Sequence, residues 1–148
     1  MQKRLFLLLW FGLFLLPCCI PATPRVVVSI KPLHSLVSGV MVGVGNPKLL
    51  STRNISVHTY SMNPSEATLL QDSELFFWIG PQLETFLEKP LKNLAQKIKT
   101  VAMINTKGLQ IHLNDGQLSW FSEEDYELLQ DPHLWLDPFN AIQMVERI

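Results

Sequence analysis

The sequence predicts an α/β fold, a four-stranded parallel sheet with helices on both faces. Two observations carry that expectation. Short apolar runs of strand length alternate with stretches of helical apolar spacing, in the order β-α-β-α-β-α-β between Arg25 and Ile104. That alternation is the mark of parallel strands joined by crossover helices. The runs are also apolar at consecutive positions, as strands covered on both faces require.

Taken in order, "RVVVSI" (Arg25–Ile30) is a β-branched run suited to a buried strand. Pro32 then opens a helix in "KPLHSLVSGVMVGVG", where Leu33, Leu36, Val37, Val40, Met41 and Val44 share one face and Gly45 ends it. "PKLLS" reads as a second strand. In "NPSE", Asn63 caps a helix, Pro64 takes its first position and Glu66 completes a capping box, with the helix running to about Gln71. "LFFWI" (Leu75–Ile79) is an apolar strand stopped by Gly80-Pro81, and "TVAMI" (Thr100–Ile104) is the fourth strand. Between them "LETFLEKPLKNLAQKI" is helical by pattern, broken or restarted at Pro90.

Residues 105–130 lack a clear period and turn acidic at "SEEDYE", which reads as a surface excursion. The closing stretch "DPHLWLDPFNAIQMVERI" contains a further helix start, with Asp137 as cap and Pro138 at the first helical position. Phe139, Ile142, Val145 and Ile148 then fall on roughly one face.

The chain has 148 residues, 47% of them hydrophobic and 17% charged, with a net charge of −1, which suits one globular domain and excludes a basic nucleic-acid-binding surface. The first twenty-odd residues are of another kind. Lys3 and Arg4 precede an apolar run from Leu5 to Leu16 and then "PCCIPATP", the pattern of a secretory signal peptide over 1–22 with Ala22 as the cleavage point. The apolar run is shorter than the roughly 20 residues of a membrane span. Cys18 and Cys19 both lie in this segment, so the mature chain has no disulfide partner and no thiolate ligand. A lipid attached at these cysteines is disfavoured by Pro17, which stands where such processing prefers a small residue. Removing Lys3 and Arg4 from the 12 basic side chains leaves 10 against 13 acidic ones.

Four histidines offer metal chemistry. His34, in the first turn of a helix, reads as a partly buried, hydrogen-bonded residue, and His112, in the excursion, as a solvated one. His58 and His133 stand at what should be the ligand side of the sheet, beyond the carboxyl ends of its strands. Each is held by stiff neighbours: "HTYSMNPS" runs into a capped helix, and "DPHLWLDP" is bracketed by two Asp-Pro pairs. Preset backbone is what a metal ligand needs. Asp131 and Asp137 flank His133 as possible oxygen donors. A metal-dependent hydrolase would need three protein ligands, a bound water and a general base, and no HExxH helix is present. The chain is therefore read as a binder and not an enzyme.

From Val26 onward, "VVVSIKPLHSLVSGVMVGVGNPKLL", "HTYSMNPSEATLLQDSELFFWIGPQLETFLEKPL" and "DPHLWLDP" resemble the ZnuA-like zinc-binding solute receptors of bacterial metal ABC importers. The resemblance is to the amino-terminal lobe of that family, in which two α/β lobes are joined by one long helix and the metal lies between them. It implies an amino-terminal receptor lobe over 23–137 and, over 138–148, the start of the interlobe helix. It implies His58 and His133 as the two imidazole ligands of this lobe, zinc as the metal, and a membrane permease as partner in the periplasm. A manganese or iron receptor of the same cluster is the less favoured metal assignment, and a degenerate fragment acting as an interaction module is the functional alternative. Two imidazoles leave further coordination positions to water, so the expected site is weak. The last helix is expected to lay its apolar face against a second lobe that this chain lacks, or to fold back imperfectly on its own sheet, and to fray from about Phe139.

Overall fold

The computed structural model describes residues 22–50, 60–113 and 130–148. The signal segment with Cys18 and Cys19, the loop carrying His58, and the acidic stretch of the excursion lie outside the described residues. The strands are β1 (Val26–Val28), β2 (Lys48–Leu49), β3 (Leu75–Trp78) and β4 (Lys99–Ala102), and the α-helices are α1 (Lys31–Val40), α2 (Pro64–Gln71), α3 (Glu88–Leu94) and α4 (Pro138–Arg147). All strand pairings are parallel in the order β2-β1-β3-β4. Val27 lies opposite Phe76, and Phe77 opposite Val101.

Alternation along each strand divides the interior into two cores. Val26, Val28 and Phe77 face one, together with Leu33 and Val37 of α1 and Met144 of α4. Val27 and Phe76 face the other, with Leu70 of α2 and Leu91 and Leu94 of α3. Helices thus cover both faces, and the predicted α/β architecture is the observed one. At about 25 cal/mol for each Å² of apolar surface removed from water, this double burial is the main stabilising contribution.

The predicted punctuation holds at α2. Asn63 Oδ1 accepts from the Glu66 amide at 2.9 Å, and Glu66 Oε2 accepts from the Asn63 amide at 2.8 Å, a complete capping box. Pro90 restarts rather than breaks: a 3₁₀ turn (Thr85–Leu87) precedes it, and it stands third in α3, where an amide would have no intrahelical acceptor. α1 is shorter than its apolar spacing predicts. It ends at Val40, and Val40 and Val44 are exposed, so the packed face narrows to Leu33, Val37 and Met41, with Leu36 partly buried beside them.

α4 turns Asn140 and Met144 inward and leaves the Phe139, Ile142 and Val145 series 67%, 55% and 41% exposed. Asn140 Oδ1 accepts from the Gln110 amide at 2.7 Å while its Nδ2 donates to the Gln110 carbonyl at 2.9 Å. This paired contact copies a backbone pairing and ties α4 to the preceding segment. Met144 is fully buried against the first core and Ile148 packs at its edge. The helix is docked on its own lobe. Met144→Ala should therefore cost about 2–5 kcal/mol in urea unfolding, while Ile142→Ala should stay within about 0.5 kcal/mol. Equal losses from the two would contradict this placement of α4.

Candidate metal centre

The segment 110–113 lies against 130–131. Leu113 and Gln130 form an antiparallel bridge, and the Asp131 amide donates to the His112 carbonyl at 2.8 Å. Asp131, Pro132 and His133 then make a tight side-chain turn. Asp131 Oδ1 accepts from the His133 amide at 2.9 Å, the bond by which an Asx residue folds the chain two positions on. The same oxygen lies 2.6 Å from His133 Nδ1. Beyond it, the 3₁₀ turn Leu134–Leu136 is anchored by buried Leu134 in the first core, and the Trp135 ring meets the His133 ring edge-on at 5.3 Å between centroids.

The Asp131–His133 contact decides the imidazole tautomer. The His133 amide bond holds the Asp131 carboxyl below the usual carboxylate range, and the His133 side-chain bond and charge add to this against partial desolvation. At neutral pH Asp131 is therefore an ionised acceptor. Nδ1 must then carry the proton it donates, which places the ring's lone pair on Nε2. A carboxylate on one nitrogen that prepares the other for a metal is the usual arrangement behind a histidine ligand.

Asp137 makes two contacts at the start of the next element. Oδ1 caps α4 by accepting from the Phe139 amide at 2.8 Å, and Oδ2 lies 3.4 Å from His112 Nε2. The cap bond, followed by the His112 contact, lowers its pKa. Gln110, His112, Asp131, His133, Leu136 and Asp137 line one open depression of about 330 Å³. Both flanking carboxylates are thus committed: Asp131 orients the histidine, and Asp137 caps the helix. Among the described residues, no three His, Cys, Asp or Glu side chains are grouped so that they could hold a metal ion.

Of the histidines singled out in the sequence, His133 lies in this depression and His58 falls outside the described residues. Tyr60, two positions after His58, is buried and meets the Phe86 ring at a tilt, 4.8 Å between centroids. His34 is structural, as expected. Its Nε2 lies 3.0 Å from the Pro47 carbonyl and its Nδ1 3.4 Å from Ser38 Oγ, joining α1 to the approach of β2. His112 is exposed, as expected, but it belongs to the same depression as His133, which sequence reasoning missed. A signal was present in "LQIHL": Leu109, Ile111 and Leu113 alternate with Gln110 and His112, the spacing of an extended segment with two polar residues on one side.

Residues 26–148 match the model of a family described as "ZnuA: Zinc-uptake complex component A periplasmic". The chain is 52% identical over 84 residues to a "High-affinity zinc uptake system protein ZnuA" of Brucella abortus, covering 57% of this chain and 25% of that protein. The protein of the same description from Yersinia pestis is 37% identical over 139 residues, covering 82% of this chain and 43% of its own length. Among solved structures, Zn(II)-bound AdcA from Streptococcus pneumoniae superposes with a TM-score of 0.66 at 25% identity, over 84% of this chain and 24% of that one. The periplasmic zinc-binding protein TroA of Treponema pallidum gives a TM-score of 0.67 at 22% identity over 85% of this chain and 42% of its own, a likeness of fold. The chain spans less than half the length of these relatives.

The Asp131–His133 pairing makes its own prediction. His133→Ala removes the ring bond and its charge, so Asp131 should titrate closer to an ordinary carboxylate in carbon-detected NMR. Because the folded pKa is depressed, the pairing stabilises the fold above the unfolded Asp value and that contribution fades as pH falls through the depressed value. An Asp131 titration unmoved by His133→Ala would contradict the pairing.

Proposed function

The chain belongs to the ZnuA family of periplasmic zinc-uptake components, and from that membership we propose that it is the zinc-binding solute receptor of a high-affinity ABC uptake system. The observation that carries the reading to a residue is the Asp131–His133 pair, which presents Nε2 as the metal-binding nitrogen. Zinc is the cargo, bound and released and not chemically changed. Neutral imidazole is a good donor to zinc, whereas manganese sites favour carboxylate and water oxygen.

In this proposal His133 and His58 are the two imidazole ligands. His58 is proposed from its resemblance to the family pattern in "HTYS", and a site built on His133 requires a ligand from a second segment. Neither Asp131 nor Asp137 is assigned as a ligand, because each carboxylate already has another task. Two imidazoles leave further coordination positions to other donors or to water. The proposed partner is the permease of the importer and the proposed location the periplasm, reached through the signal segment 1–22. The exposed Phe139, Ile142 and Val145 support α4 as the beginning of an interlobe helix, with one side on this lobe and the other turned away from it.

Zinc titration of the purified chain tests the reading. His133→Ala and His58→Ala should each abolish most of the binding, and the double variant should be little worse than either. Asp131→Ala should weaken it about 10–100-fold by releasing the ring and its tautomer. His34→Ala and His112→Ala should leave it unchanged. Affinity should fall on acidification, because only the neutral imidazole binds metal. Binding that survives His133→Ala but is lost with His112→Ala would move the site to the 110–113 segment and overturn the assignment.

A further inference from the structure

The Asp131 contact holds the His133 ring at one atom, Nδ1, over 2.6 Å. A ring held at one atom can still swing, because the last torsion of histidine has no narrow preferred value. The side chain is also 38% exposed, so burial alone does not fix it. Asp131 settles which nitrogen is free for metal. The direction in which that nitrogen points depends on a second contact.

Trp135 makes that contact. The Leu136 amide donates to the His133 carbonyl at 3.1 Å, closing the 3₁₀ turn that carries Leu134, Trp135 and Leu136. Within the turn Leu134 is buried in the first core, and Trp135 packs against that core. The indole is thus seated on packed residues, and its ring lies 5.3 Å from the His133 ring between centroids, at 62° between planes. Aromatic rings favour this edge-on arrangement, so turning the imidazole out of it is unfavourable. Leu134, Leu136 and His133 itself line the depression, and Trp135 is not among its lining residues. The indole therefore braces the imidazole from outside the depression and leaves the mouth open.

We propose that Trp135 is a positioning residue for zinc, which with Asp131 forms a two-point hold that aims His133 Nε2 into the depression before the metal arrives. The role rests on the zinc reading of His133. A ligand ring that binding must first immobilise loses affinity, and a ring already braced does not. Part of the zinc affinity then resides in a residue that never touches the metal. Removing the indole should weaken binding about 3–10-fold, the size expected of one aromatic contact. The tautomer set by Asp131 should be unchanged.

Three variants of the full chain, titrated with zinc chloride, test the role. Trp135→Leu keeps an apolar side chain on the core but removes the ring, and should lower zinc affinity about 3–10-fold. Trp135→Phe returns a ring and should recover most of that loss. Val37→Ala, at a fully buried position of the same core, should lower stability and leave zinc affinity unchanged. Carbon-13 relaxation of the His133 ring in the zinc-free chain gives a readout that stability does not move. The ring should become more mobile in Trp135→Leu and be restored in Trp135→Phe. Zinc binding that needs His133 but is indifferent to Trp135→Leu would overturn the role and leave the zinc reading standing. So would a ring no looser in that variant, or an equal loss of affinity in Val37→Ala. A wild type that binds no zinc would overturn the zinc reading and this role with it. Should Trp135→Leu fail to fold, Trp135→Met takes its place in every comparison.

Discussion

β3 is the constraint on which the lobe is built. It pairs with β1 on one side and β4 on the other, and its adjacent phenylalanines, Phe76 and Phe77, are buried in opposite cores. A strand with no solvent-facing side leaves its register little freedom, since a slip of one residue would exchange the two cores. Its end is fixed as firmly, by Gly80 against Ile104 and by the Glu84 carboxyl group on the Ile79 and Gly80 amides. The loops at the carboxyl edge therefore rest on a rigid floor, which is what a binding site positioned by loops requires.

His133 is tied to that floor by short-range contacts. Leu134 and Met144 enter the first core on either side of the Asp137 cap, so the turn that carries the imidazole is anchored at both ends. Asp131 supplies what packing does not, a tautomer. The two carboxylates around His133 look alike in sequence, yet one orients a ring and the other starts a helix. Their difference lies in which amide each oxygen meets.

Much of this was legible in the residues. The strands are visible because they are buried on both faces and thus apolar without alternation, and α2 because a capping box is a local hydrogen-bond pattern. The less legible parts rest on long-range pairings. Asn140 is buried because Gln110, thirty positions earlier, supplies a matching amide and carbonyl, and that exchange turns α4 so that its more apolar series faces outward. His112 reaches the depression through the bridge of Leu113 with Gln130. Glu84 falls in a stretch that is helical by pattern, and its burial follows from a turn that spacing does not reveal. The pairing of His58 with His133 is an expectation of the family pattern, and His133 is the member whose surroundings the structure describes.

The central claim is that Asp131 prepares Nε2 of His133 to receive zinc. A crystal structure of the zinc-loaded chain, with anomalous scattering collected at the zinc edge, tests it most directly. The account predicts a peak about 2.0–2.1 Å from His133 Nε2, with Nδ1 still bonded to Asp131. Zinc bound through Nδ1 with Asp131 turned aside, or a peak remote from His133, would contradict it.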